Sequence, residues 1–382
     1  MRNVIFLLLL FPVLGFAQIA KQHYKLGNQK RDSAKYRDAV AEYTEAINVD
    51  PQFKDAYFQR ALARIHLMDN AGAATDLAEV IRLDPKAIDA YRERAAIYFS
   101  SNDQKIADYT HIIALFPRDL QAYKGRAGAK YNSKDYKGAI EDYTIILSMY
   151  PKEVNAYANR AVAKGGLKDW DGEIADYILA ASHDEKYPWI YYNDIGIIKL
   201  SLKDYKGAAE AFSKSITMHP NESAYMNRAH LKVLLEDYQA AIDDYTIVMA
   251  LSPAKKGMDL GRILPYASRG EAKRLNGDYK GAIADYDMGI ALDTGKYARQ
   301  QIGMDDIYNK RGFARQHEGS IDSAITDYNK AITYKHNFAE AYFNRGNAKQ
   351  QKGDKDGACT DWNTAALYKY QPAVEQLKKF CN

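Results

Sequence analysis

The chain has 382 residues, of which 53 are Lys or Arg and 49 are Asp or Glu, for a net charge of +4. So even a balance argues against a nucleic-acid binder, which carries a large excess of positive charge or a clustered basic face. The 31 tyrosines fall mostly at regularly recurring positions, which points to packing and not to base stacking.

The N-terminus reads as a separate segment. Arg2 supplies a positive charge, Val4 to Phe16 is apolar, and Gly15-Phe16-Ala17 is a small-x-small cleavage site. This pattern predicts a secretory signal peptide over residues 1–17. The apolar run, broken by Pro12, is shorter than the about 20 residues a membrane-spanning helix needs. Gln18, not cysteine, follows the expected cut, which argues against a lipoprotein anchor. No later stretch is apolar enough to span a bilayer. An exported, soluble protein is expected, in the periplasm or outside the cell.

Beyond residue 20 one phrase keeps returning. It reads Tyr57-Phe58-Gln59-Arg60-Ala61, and comes back from Tyr91, Tyr123, Tyr157, Tyr225, Tyr266, Tyr308 and Tyr342, each with Arg three residues on and Ala or Gly next. A second phrase, Ala-x-x-Asp-Tyr, follows, as in Ala139 to Tyr143 or Ala324 to Tyr328. The steps from Tyr57 to Tyr91, from Tyr123 to Tyr157 and from Ala324 to Ala358 are identical in length. A fixed period of about 34 residues means stacked copies of one supersecondary unit.

Residues 120–151 show what that unit is. Leu120 to Ser133 has apolar and small residues at helical spacing, and Asn132 to Asp135 breaks it. Tyr136 to Met149 is a second helical pattern, with Asp135 a candidate N-cap and Pro151 a stop. Helix, tight turn, helix, proline: the unit resembles the tetratricopeptide repeat family over roughly residues 20 to 370. Pro51, Pro85, Pro117, Pro151, Pro220 and Pro253 match the family's terminal proline. Ala39, Ala73, Ala139, Ala208, Ala241, Ala282, Ala324 and Ala358 match its small residue in the second helix.

The resemblance implies an all-α fold, a right-handed superhelical solenoid of about ten helix-turn-helix repeats over residues 18–371. The expected pairs are 20–51, 54–85, 88–117, 120–151, 154–187, 189–220, 222–253, 263–294, 305–336 and 339–370. A polar capping helix over residues 372–382 is expected to close the array. The third repeat has a turn two residues short, and the fifth lacks its proline.

The Arg of the first phrase and the Asp of the second are expected to pair. Arg60 and Asp76, Arg126 and Asp142, Arg160 and Asp176, Arg228 and Asp244, and Arg345 and Asp361 all share one sequence spacing. In the sixth repeat both members change, to Asp194 and Ala211, as expected if an unpaired buried charge is costly. The first repeat has Leu26 in place of Arg but keeps Glu42, which could instead meet Arg60, so pairing between neighbouring repeats is a second possibility. A functional arginine row contacting ligand is a third. Four residues beyond the Arg comes another base: Lys30, Arg64, Lys130, Lys164, Lys199, Lys232, Lys273, Arg315 and Lys349. This row either attracts an acidic partner or pairs locally.

The family holds extended or helical peptides against its first helices. That implies groove candidates Phe58, Leu62 and Ile65 in the second repeat, and Ile190, Ile197, Leu200, Met226, Val233 and Leu234 in the sixth and seventh. A slightly rotated register would bury these as core instead. The family's basic clamp for a C-terminal carboxylate is not expected, because Lys21, Lys25 and Asn28 lack matching sets in the next two repeats.

Two insertions stretch the period to 41 residues (Ala241 to Ala282) and 42 (Ala282 to Ala324). Both contain Gly-Met-Asp, making Met258, Asp259, Met304 and Asp305 candidate binding loops. The alternative is a longer first helix in each repeat.

Catalytic signatures are missing from the sequence. The eight histidines are scattered without metal-ligand spacing, and no phosphate-binding loop occurs. No catalytic residue, metal or cofactor is expected. Cys359 and Cys381 lie together in the last helical hairpin, so a disulfide is expected in an exported chain, with two free thiols as the alternative. The function expected is a non-catalytic protein–protein interaction scaffold of the cell envelope, with a protein or peptide partner and no nucleic acid. The alternative is an accessory or carrier protein for a non-protein ligand such as a glycan. A catalytic protein with an unmarked site is a weaker third. The sequence does not specify the oligomeric state.

Overall fold

The computed structural model describes residues 2–97, 101–251, 263–293 and 303–381, and only the backbone over 2–15. Those residues form helices joined by short turns, grouped in two compact bodies, Met1–Asp184 and Glu185–Asn382.

The first body contains α1 (Arg2–Asp32), α2 (Tyr36–Val49), α3 (Lys54–His66), α4 (Asn70–Leu83), α5 (Ile88–Ile97), α6 (Asn102–Leu115), α7 (Leu120–Asn132), α8 (Tyr136–Met149), α9 (Val154–Gly166) and α10 (Trp170–His183). The second contains α11 (Pro188–Ser201), α12 (Tyr205–Met218), α13 (Glu222–Leu234), α14 (Tyr238–Leu251), α15 (Ile263–Leu275), α16 (Tyr279–Leu292), α17 (Met304–His317), α18 (Ile321–Tyr334), α19 (Ala339–Lys352), α20 (Lys355–Leu367) and α21 (Gln371–Phe380). Within each body every helix packs on the next in sequence, so each is an all-α solenoid. Odd-numbered helices through α19 are first helices of a repeat, and even-numbered ones are second helices. Among the described residues no helix is long and apolar enough to cross a membrane.

Among the described residues, the turn inside most repeats is set by three neighbouring residues. The first helix ends in a left-handed residue: Met68, Lys134, Lys168, Lys203 and Glu236 have φ of 61–64°, and Gly277, Gly319 and Gly353 take the same place. An aspartate then caps the second helix. The carboxylates of Asp69, Asp135, Asp169, Asp204, Asp278 and Asp354 accept from the backbone N–H three residues later, always a glycine. A Cβ on Gly138 would lie 2.2 Å from the Asp135 carboxylate, so glycine allows the close cap; where Ala240 takes that place, its N–H to the Asp237 carboxylate lengthens to 3.3 Å.

Close approach of the paired helices comes from small residues against rings. Gly270, Gly312 and Gly346 lie directly on Tyr286, Tyr328 and Trp362, each pair at the same separation along the chain as the Arg and its Asp. Gly196 lies in the same way on Phe212. These rings are buried, with the alanines of both helices, and form a string of small cores.

The ring seam corrects the sequence alignment of the sixth repeat. Gly196 occupies the place of Gly312, so Ile195, not Asp194, stands where the other repeats carry Arg. Ile195 and Ala211 keep the sequence spacing of an Arg–Asp pair, and both are buried. The pair Tyr191-Tyr192 made the phrase ambiguous by one residue. The charged rung is therefore replaced by an apolar one.

Over the described residues α15 has 13 residues and α17 has 14, the ordinary length here, and most of both insertions lies outside the described residues. Met304 is not a loop residue. It opens α17 and is buried with Ile263, Tyr286 and Ile307, and Asp305 follows in the first turn. An apolar side chain flanked by Ile307 at helical spacing is better buried than displayed. Met258 and Asp259 lie outside the described residues.

Candidate functional site

The recurring charges make a latch. Each buried second-helix aspartate accepts both an Nε and an Nη of the arginine from its own repeat: Arg60 on Asp76, Arg94 on Asp108, Arg126 on Asp142, Arg160 on Asp176, Arg228 on Asp244, Arg269 on Asp285, Arg311 on Asp327 and Arg345 on Asp361, with Nη–O distances of 2.6–2.8 Å. The base four residues on closes the same carboxylate. Arg64, Lys130, Lys164, Lys232, Lys273, Arg315 and Lys349 lie 2.8–3.0 Å from it. Seven of the nine bases in the second row are thus engaged by the latch aspartates. Two cations on one carboxylate satisfy it more fully than the single pair read from spacing.

The arginine also ties repeats together. Its remaining Nη donates to the preceding second helix, as from Arg60 to Thr44, Arg160 to Thr144 and Arg228 to Ser213. Its guanidinium lies 5.2–5.7 Å from the ring of the phrase's own tyrosine in seven repeats. Pairing within and between repeats are both present. Glu42 does not meet Arg60: it bonds His23 at 2.8 Å. The arginine is thus engaged by its aspartate, its tyrosine and the preceding second helix, and the groove candidates lie at other positions.

Those positions are on the first helices. In the second body α11, α13, α15, α17 and α19 touch in succession. Amides join them: Asn227 donates to Asn193 at 2.9 Å, and Asn344 donates to Asn309 at 3.0 Å. Ile190 (47% exposed), Ile197 (45%) and Leu234 (51%) stand out on α11 and α13. Leu200 is half-buried against Phe212, and Met226 and Val233 are half-buried against Tyr245. Phe58, Leu62 and Ile65 are half-buried on α3 in the first body, where Phe58 lines a separate polar pocket.

A pocket of about 310 Å³, lined by His230 and Val233 on its α13 side, opens between α13, α15 and α17. Val233, Ile263, Leu264, Ala267 and Ile307 make its apolar wall, and His230, Ser268, Glu271, Asp306 and Lys310 its polar groups. The size is at the small end for ligand pockets and suits one large side chain. Tyr245 and Tyr286 reach it from the second helices. Burial pushes the Tyr245 hydroxyl, which bonds Ser268, up to about 12. Burial alone would raise the Glu271 carboxyl. Bonds from Arg274, at 2.8 and 2.9 Å, the charges of Lys310 and Arg274, and a 3.1 Å bond from Tyr286 hold it below the usual range instead. Lys310 pairs with Asp306 at 2.8 Å. The floor is ionic but balanced, so the wall offers mainly apolar contact.

Of the residues lining this pocket, the sequence marked Val233 as a groove candidate and missed the polar groups. Glu271 and Lys310 immediately follow or precede the phrase residues Gly270 and Arg311, and only the differences between repeats at those places could have marked them.

Asp194 lies on the same face of α11 as Ile190 and Ile197. Burial raises its pKa, and a hydrogen bond from Asn193 only partly opposes this. A raised carboxylate pKa means the charged form is disfavoured on folding, so stability falls as pH rises through it. Asp194→Asn is therefore expected to raise the melting temperature at pH 7.5 and to have little effect at pH 4. Equal gains at both pH values would contradict this.

Comparison with known proteins agrees with the geometry. Tetratricopeptide repeat models match residues 24–88 and 317–353, and these stretches are such repeats in sequence and fold. A tetratricopeptide repeat and J domain-containing co-chaperone of Cryptococcus neoformans is 31% identical over 108 residues, 28% of this chain and 21% of that protein. The chain thus spans about a fifth of that relative's length. The C-terminal part of a TPR repeat-containing protein from Cytophaga hutchinsonii superposes with a TM-score of 0.51 at 16% identity, over 66% of this chain and 98% of that one, a likeness of fold.

Proposed function

We propose that the chain is a non-catalytic scaffold that binds a protein partner, through an extended or helical segment, on the first-helix face of its second body. Two observations carry this: the apolar exposure of Ile190, Ile197 and Leu234 on α11 and α13, and the pocket between α13, α15 and α17. Large aliphatic side chains left half exposed on neighbouring helices mark an interaction site. Tetratricopeptide repeats suggest the same class of function. The co-chaperone likeness fits it without naming a partner. We further propose, from the N-terminal Arg2 to Ala17 pattern read as a signal peptide, that the scaffold acts in the cell envelope or outside the cell.

Peptide display panned on the full chain tests the reading. Enriched peptides are expected to carry large apolar side chains, and Ile197→Asp is expected to weaken their binding about thirtyfold, the loss of a hot-spot contact. Failure to enrich any peptide, with carbohydrate alone recovered from an envelope extract, would contradict it.

A further inference from the structure

The second body ends in α21, and its hold on the body is of two kinds. Its packing is light. Ala373 is its one fully buried residue, Leu377 is half-buried, and Phe380 remains 40% exposed while meeting the Trp362 ring at 5.8 Å. At ten residues it is also shorter than an isolated helix needs to persist in water. The second hold is covalent: Cys381, just past the helix, is bonded to Cys359 in α20, closing a separation of 22 residues. Both cysteines are half-buried, so the bond is not sealed from solvent. Beneath α21 lies the last apolar face of the stack, Ala358, Trp362 and Ala365, all buried in its presence.

We propose that the Cys359–Cys381 bond is a redox-controlled latch on α21. Oxidised, it keeps α21 over Trp362. A dithiol reductant supplies two electrons and two protons, converts the bond to two thiols and itself becomes a disulfide. The freed α21 then leaves the end of the stack, and the face around Trp362 opens to solvent. Every earlier second helix in this body is covered by a first helix of 13 or 14 residues with several buried side chains, which needs no such bond. The device is therefore confined to the end of the array.

Hydrogen exchange on the full chain, oxidised and after treatment with dithiothreitol, reads this directly. Reduction is expected to speed exchange of the α21 amides about a hundredfold, the size of the lost loop constraint, while α11 to α18 keep their protection. In a chain carrying Trp170→Phe and Trp189→Phe, the emission of Trp362 should shift red and become quenchable by iodide on reduction alone. The Cys359→Ser, Cys381→Ser chain should behave as the reduced protein under all conditions. Unchanged α21 protection after reduction would overturn the proposal, and so would loss of protection across α11 to α18 at the same rate as α21.

Discussion

Asp244→Ala is expected to destabilise the second body by about 3 kcal/mol in denaturant unfolding, at the low end for breaking a buried pair because both cations keep some solvent access. Asp244 is 3% exposed and receives Arg228 at 2.8 Å and Lys232 at 2.8 Å. Removing it leaves two cations facing each other across an apolar seam. Burial alone would raise the Asp244 carboxyl, yet its bonds from Arg228 and Lys232 leave it below the usual range. A depressed folded-state pKa stabilises above the unfolded value, about 3.9, and the contribution disappears as pH falls from there through the folded value. The penalty of Asp244→Ala should therefore shrink in acid below about pH 4. The chain also shows how to relieve it. The Ile195 and Ala211 rung dispenses with both charges, so Arg228→Ile added to Asp244→Ala should recover stability relative to Asp244→Ala alone. Additive losses would show that the charges are not partners.

Tyr286→Ala is expected to cost a similar or larger amount, about 3–5 kcal/mol. The ring is fully buried on Gly270, and its hydroxyl donates to Glu271 at 3.1 Å on the pocket floor. Tyr286→Phe keeps the ring and removes only that bond. Glu271 retains Arg274, so the loss should be about 1 kcal/mol. Thermal melts of the two variants separate packing from hydrogen bonding. Comparable losses would mean that the hydroxyl, not the ring, secures α15 to α16.

Fold and site differ in how far they could be read from the sequence. The repeat period shows the helix pairs because most pairs meet the same steric demands: an aspartate cap, a small residue under a ring, an arginine at one spacing. The ring-on-glycine contact, which fixes register, is invisible in a string of letters, and Tyr191-Tyr192 shifted the sixth repeat by one residue as a result. The second row of bases read equally well as a surface charge or as a partner. Its geometry became plain only when Lys130 and Lys164 were seen to share their aspartates with Arg126 and Arg160. Met304 belonged to a loop by period and to a helix by packing, since Ile263 and Tyr286 enclose it. Of the pocket only Val233 was legible as a groove residue, because Glu271 and Lys310 come from two further repeats and differ at each.

The central claim is that the recurring phrase holds the stack together while recognition belongs to the first-helix face. Capture of a peptide selected on the wild-type chain, measured at low temperature alongside melting, tests it with two full-length variants. Ile197→Asp with Leu234→Asp should lose the peptide and melt like the wild type. Arg126→Met with Lys130→Met and Asp142→Leu should retain the peptide, with any difference from wild type confined to melting. Loss of the peptide from the second variant at unchanged melting, with retention by the first, would contradict the account.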